Sequence, residues 1–273
     1  MRKKSLLATI TLLVSACVLI IMSCNKPTVD SNTTTATDNA LAENEFMRLV
    51  PMVNNLSTTF KGRAVNRVQA GPHYPTVVCT DTTLNPFFPR TMTINYGTPG
   101  HVDSSDGKTR TGIIVVTYTT YWQTLGYQVA LTFQNYSCNG TGYTGTVYIT
   151  HTGDSSFTEK VGGAIVKSGA YAMQYSCNRT FTWIKGRGDS VPSHSIYTII
   201  GQGSGQDRNA VNYTSTILTP LTVAGGGCGF IEGGTIQLVP AGIANRTTNF
   251  GNGTCDSQAS VAIDANSYTV TIQ

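Results

Sequence analysis

An all-β body, an antiparallel sandwich or roll, is the fold this sequence predicts, and three observations predict it. From Thr76 onward, side chains change character at every second residue. Turn-forming residues break that alternation about every ten to fifteen residues, as in antiparallel architectures. Outside the first 60 residues, no run favours a helix.

The chain opens on a different pattern. Arg2, Lys3 and Lys4 form a basic start, and Ser5 to Met22 is almost uncharged and rich in Leu, Ile, Val and Ala. That order reads as an export signal. It ends in Ile21-Met22-Ser23-Cys24, which fits a bacterial lipobox apart from Met22, where a small residue is usual. Cutting before Cys24 frees a thiol that accepts a diacylglyceryl group, and two or more acyl chains are needed for stable anchoring. Val14-Ser15-Ala16-Cys17 is the runner-up. Cleavage there shortens the apolar stretch to little more than Leu6–Leu13 and strands five apolar residues behind the lipid. An uncleaved N-terminal helix is the third reading. All three place the body outside the cytoplasm.

The domain plan follows: signal peptide 1–23, disordered tether 24–39, short helical segment 40–60 and all-β domain 70–273. The tether is polar and Thr-rich, with little to bury. Ala40-Leu41-Ala42-Glu43-Asn44-Glu45-Phe46 favours a helix; Phe46, Val50 and Val53 recur at helical spacing, with Asp38 or Asn39 as caps. Pro51 should kink or end it. Beyond it, Tyr127, Val129, Leu131 and Phe133 form one apolar face, and Met173, Tyr175, Cys177, Phe181 and Trp183 another. Tyr268, Val270 and Ile272 make a third. Ile113 to Val116 is apolar on both faces and reads as a central strand, and Asn139-Gly140 as a hairpin turn. Thr93-Ile94-Asn95-Tyr96-Gly97 is echoed by Thr247-Thr248-Asn249-Phe250-Gly251, and Gly145-Thr146-Val147 by Gly234-Thr235-Ile236. Two related β-units and recurring turn chemistry both account for the echo.

Three of the 18 basic residues belong to the signal, leaving 15 against 14 acidic ones. So balanced a body, with scattered Lys and Arg, argues against nucleic acid as a partner. Five body cysteines remain, Cys79, Cys138, Cys177, Cys228 and Cys255, an odd number that leaves at least one thiol free. None sits in a C-x-x-C pair, and the four His are scattered, so no zinc site is expected.

No catalytic, cofactor or metal residue is assigned. Gly201-Gln202-Gly203-Ser204-Gly205 and Gly225-Gly226-Gly227-Cys228-Gly229 lack the spacing of a nucleophile elbow or phosphate loop and read as flexible loops. Asp103 and Asp106 before Gly107 hint at calcium without the remaining ligands. Asp189, Ser190 and His194 fall within six positions of one loop, which does not make a triad. Tyr118, Tyr121 and Trp122, beside Tyr127, offer rings for stacking on a sugar, against the plainer reading that they fill the core. Arg187-Gly188-Asp189 matches an adhesion tripeptide in a Gly- and Pro-rich loop that should be exposed.

The tail Asn249-Phe250-Gly251-Asn252-Gly253-Thr254-Cys255-Asp256, together with Asn95-Tyr96-Gly97 and Ala42-Glu43-Asn44, resembles a family of uncharacterised lipoproteins from Bacteroidota-type bacteria. The final hairpin departs from that pattern, with Ala265-Asn266 where Asn-Gly is usual. The resemblance carries no activity. It implies an outer-membrane lipoprotein. With a single late acid, Asp30, after Cys24, the body is expected to face the periplasm. It also implies O-glycosylation at Asp-Ser/Thr motifs, here Asp189-Ser190-Val191 ahead of Asp81-Thr82-Thr83. The expected partners are the membrane, through the lipid, and a glycan or envelope protein. A non-enzymatic binding or structural role is expected, with a glycan-binding or host-adhesion module as the alternative.

Overall fold

The computed structural model describes residues 29–59, 68–71, 74–81, 90–104, 106–120, 124–189 and 191–272. The signal segment with Cys17 and Cys24 lies outside them. Among the described residues two helices come first, α1 (Thr34–Phe46) and α2 (Leu49–Thr59). Fifteen strands follow: β1 (Val68–Gly71), β2 (Tyr74–Asp81), β3 (Arg90–Val102), β4 (Thr109–Tyr118), β5 (Gln128–Cys138), β6 (Thr141–Tyr143), β7 (Thr146–Gly153), β8 (Ser156–Ser168), β9 (Tyr171–Lys185), β10 (Ile196–Gln206), β11 (Asn212–Ala224), β12 (Gly233–Pro240), β13 (Arg246–Asn252), β14 (Gln258–Ile263) and β15 (Asn266–Thr271).

The strands form one antiparallel meander in which consecutive strands pair, except that β6 and β7 do not pair with each other and instead share the lane between β5 and β8. Gly145 breaks that lane: its φ is +110°, and a Cβ there would lie 2.8 Å from Ala164 Cα. The all-β expectation holds, as a single sheet rolled on itself.

The roll is built around α1. Glu45 of α1 meets Arg110 on β4, Phe46 packs on Phe133, Tyr143 and Tyr175 of β5, β6 and β9, and Arg246 of β13 donates to the Asn32 carbonyl at the helix entrance. From β4 to β13 is eight strand steps, roughly 38 Å in a flat sheet. A helix about 10 Å across cannot touch both unless the sheet curls. Every residue from Thr35 to Phe46 except Thr37 is buried.

The helix corrects the tether's boundary. Residues 34–39 were expected to be solvated because they are polar; instead they form the first turns of α1. Thr35 Oγ1 donates to Asp207 at 2.6 Å, and the Arg208 side chain and backbone N–H both donate to Asp38. The β10–β11 turn supplies the partners water would otherwise give, and tertiary contacts override composition. Asp38 and Asn39 are therefore buried mid-helix residues, not caps. Pro51 lies in the first turn of α2, where a missing N–H leaves no bond unmade, so it opens a second helix and does not end the first.

The two sequence echoes share a geometry. Asn95 Oδ1 accepts from Gly97 N at 2.8 Å and Asn249 Oδ1 from Gly251 N at 2.9 Å, with φ of +75° and +94° at the two glycines. Gly145 and Gly234 are also left-handed. Each is an irregularity that bends a strand and seats an aromatic, Tyr96 or Phe250, in the core. Asn139-Gly140 has positive φ at both residues, as a tight hairpin requires, and the final hairpin turns on Asp264 with φ of +51°.

Candidate functional site

Side chains on each strand alternate between a face toward α1 and a face toward solvent, and the register lines outward residues into rows. Tyr148, Lys160, Asn178, Gln202 and Thr216 are successive cross-strand partners on β7 to β11. Gln128, Thr150, Thr158 and Thr180 form the adjacent row. Between these rows lies an open depression of about 540 Å³ lined by Gln128, Tyr148, Thr150, Thr158, Lys160 and Asn178. A second, of about 350 Å³, shares Lys160 and Asn178 with it and continues along Gly162, Ser176, Gln202 and Ser204. Two missing side chains deepen it. Gly162 and Gly163 fall in a bulge of β8 between Val161 and Ala164, and the Gly163 N–H donates to Ser176 Oγ at 3.1 Å.

The groove offers amides, hydroxyls, one ammonium and a Tyr148 ring that is 41% exposed. Its lining contains no carboxylate. From β3 to β15 a single strand residue is acidic, Glu159, and it points inward with no exposed surface.

Charge is concentrated on the inner face. Arg110, Arg179 and Arg246 are the three largest fully buried side chains among the described residues. Arg110 forks onto Asp106 at 2.8 Å through both terminal nitrogens, and reaches Glu45 at 3.1 Å, Tyr136 at 3.0 Å and Asp103 at 3.4 Å. Arg48 adds 2.7 Å to Asp106. Asp103 and Asp106, the residues that hinted at calcium, thus already have a cation between them. On β9, Arg179 donates to Glu43 and, at 3.2 Å, to Ser215 Oγ. Glu159, its cross-strand partner, accepts no hydrogen bond from the described residues at either oxygen. Burial, then the charge of Glu43, raises its pKa well above the usual carboxylate range, against the pull of Arg179. Burial on the inner face thus favours the protonated form of Glu159.

This arrangement explains Gly201-Gln202-Gly203-Ser204-Gly205, which is not a loop but the middle of β10. Its glycines occupy the inner phase. A Cβ on Gly203 would lie 2.7 Å from Ser215 Oγ and 3.1 Å from Arg179 Nη2, and one on Gly205 would lie 2.5 Å from the Tyr213 hydroxyl. Gly225–Gly229 is a loop, as expected, but a tethered one. Cys228 is disulfide-bonded to Cys255, and Asn44 of α1 donates to Gly229 O and accepts from Ile231 N. Cys79, Cys138 and Cys177 form no disulfide among the described residues, and burial pushes the thiols of Cys138 and Cys177 up, away from reactive thiolate.

The rings singled out for stacking are placed differently. Tyr118 faces the core, 7% exposed, with its hydroxyl donated to by Ser57, and it stacks on buried Tyr127; it presents no ring to a ligand. Its inward phase on β4 is the reason. Tyr121 and Trp122 lie outside the described residues, as do Ser190 and Thr82. The aromatic on the outer groove is Tyr148, which the sequence reading did not single out. The Arg187-Gly188-Asp189 loop is exposed, but both ends are engaged: Arg187 donates to Ser155 at 3.0 Å, and Asp189 accepts from Val191 N and lies 2.5 Å from His194 Nδ1.

Comparison with known protein families, with curated proteins and with solved structures finds no match to this chain.

Proposed function

We propose that this chain is a lipid-anchored cell-envelope protein, held at the outer membrane through Cys24 with its body toward the periplasm, that binds a glycan without transforming it. The observation that carries the binding reading is the groove of Gln128, Tyr148, Thr150, Thr158, Lys160 and Asn178. An exposed ring beside amide and hydroxyl groups suits a sugar, whose faces stack and whose edges exchange hydrogen bonds. The groove's lining holds no carboxylate or imidazole for acid–base chemistry, while Glu45 and Asp106 are paired with Arg110, and Glu43 with Arg179, beneath the sheet. Export agrees with the Cys228–Cys255 bond, since disulfides persist in oxidising compartments.

The test uses the full chain in detergent on a glycan array, followed by calorimetry on the best binders. Tyr148→Ala and Asn178→Ala should abolish binding with unchanged melting curves. An array without a binder, or a binder indifferent to both changes, overturns the glycan reading. Palmitate labelling that persists in Cys24→Ser would move the anchor to Cys17, and removal of the body by protease on whole cells would place it at the surface.

A further inference from the structure

We infer that the groove selects an acidic glycan, one carrying uronic acid carboxylates, and that Lys160 is the residue that selects it. This rests on the glycan reading above. Lys160 projects from the middle of β8, directly between Tyr148 on β7 and Asn178 on β9, and it lines both depressions. A ligand stacked on Tyr148 and hydrogen-bonded to Asn178 must pass over its ammonium.

That ammonium has no carboxylate to answer it among the described residues. Its neighbour Glu159 faces the opposite side of the sheet, and none of the ion pairs among the described residues includes Lys160. Lys167 on β8 and Lys185 on β9 are outward too and carry the same sign, so the face combines positive groups with neutral Thr, Ser, Asn and Gln and with exposed apolar side chains such as Ile165 and Ile200. A surface without acids repels no anion, and its lysines favour one. A wholly neutral glycan would leave Lys160 uncompensated in the middle of the contact, whereas a uronate places an oxygen pair where the ammonium donates. Of the acidic residues elsewhere, Asp38, Glu43, Glu45 and Asp106 are each paired with an arginine, and the exposed Asp154, Asp189, Asp256 and Asp264 lie in turns and loops and not on the strand face that lines the groove.

The experiment compares oligogalacturonate with its methyl ester, which keeps every hydroxyl and removes the charge. The full chain should bind the acid roughly fivefold more tightly at low salt, the size of a partly exposed ion pair, with the preference shrinking as salt screens it. Lys160→Gln should bring the acid to the affinity of the ester, Lys160→Arg should retain the preference, and both should melt like the parent. Equal binding of acid and ester by the parent overturns the selection while leaving glycan binding intact. Binding of neither probe removes the glycan reading and this inference with it. Poly-glutamate binding as tightly as oligogalacturonate, with the same dependence on Lys160, would show a general anion patch and likewise overturn it.

Discussion

On β8 and β9 the two faces of the sheet differ by a single step along the chain. Glu159 and Arg179 point inward and are wholly buried, while Lys160 and Asn178, the next residue and the one before, point outward into the groove. Inside, charges are paired around α1; outside, the strands from β3 to β15 carry no acid, and their outward positions are Thr, Ser, Asn and Gln with some lysines and exposed apolar side chains such as Ile165, Ile184, Ile200 and Leu218. This inverts the usual distribution, in which charged side chains line the surface. The inner face uses charge to fix how α1 sits in the roll: Asp38, Glu43 and Glu45 point at least two ways around the helix, Glu43 turned by about 140° from Asp38. Each is met by a different arginine, Asp38 by Arg208 of the β10–β11 turn, Glu43 by Arg179 of β9 and Glu45 by Arg110 of β4. The outer face is thereby free of any structural need for carboxylates.

The hardest test of that contrast removes an inner cation. Arg110→Ala would leave Glu45, Asp103 and Asp106 buried without their shared partner. A broken buried network of this kind costs about 3–5 kcal/mol, a large share of a domain's stability. A urea melt reads it directly; a loss below about 1 kcal/mol would show that the buried charges do not hold α1 in place.

Much of the fold was legible because strand alternation depends on local phase. The apolar faces starting at Tyr127, at Met173 and at Tyr268 lie along β5, β9 and β15, and Asn139-Gly140 is the hairpin turn between β5 and β6. What escaped was the meaning of polar residues in an apolar phase. Arg179 occupies the inner phase between Cys177 and Phe181, and Glu159 does so between Phe157 and Val161. A charge in that phase signals a buried partner, and the partners lay in the stretch read as tether and helix. Gly203 and Gly205 escaped for the converse reason, since their phase belongs to side chains arriving from Arg179 and Tyr213. The groove was less legible. Tyr148 and Lys160 are far apart in the chain and become neighbours only through the β7–β8 register.

A pH series probes the same inner face more gently. Folding raises the Glu159 pKa above its ordinary 4.5, so its contribution to stability is whole below that value. The contribution is lost as pH climbs through the folded value, because the folded state must then either keep a proton the unfolded chain has released or bury a charge. The penalty grows by up to about 1.4 kcal/mol per pH unit. Glu159→Gln, which cannot ionise, should match the parent near pH 4.5 and exceed it at pH 8 in urea midpoint. A difference between the two proteins that is constant across that range would mean that Glu159 is ionised in the fold.

The smallest effect is expected where the outer face is asked to carry an acid. Asn178→Asp places a carboxylate beside Lys160, its direct cross-strand partner, on an exposed position of β9. Asp is a poor strand former, which costs a few tenths of a kcal/mol. An exposed opposite-charge pair returns a similar amount. Stability should therefore change by less than about 0.5 kcal/mol, the range of ordinary surface substitutions. If the roll needed a carboxylate-free exterior in order to fold, the loss would approach that of a core change. The variant also separates folding from binding at one residue. Its carboxylate would neutralise Lys160 and repel an incoming uronate, so affinity for oligogalacturonate should fall while the melting curve stays in place. A melting curve that drops together with affinity would assign the charge-free exterior to the fold, and the contrast between the two faces would then be structural on both sides.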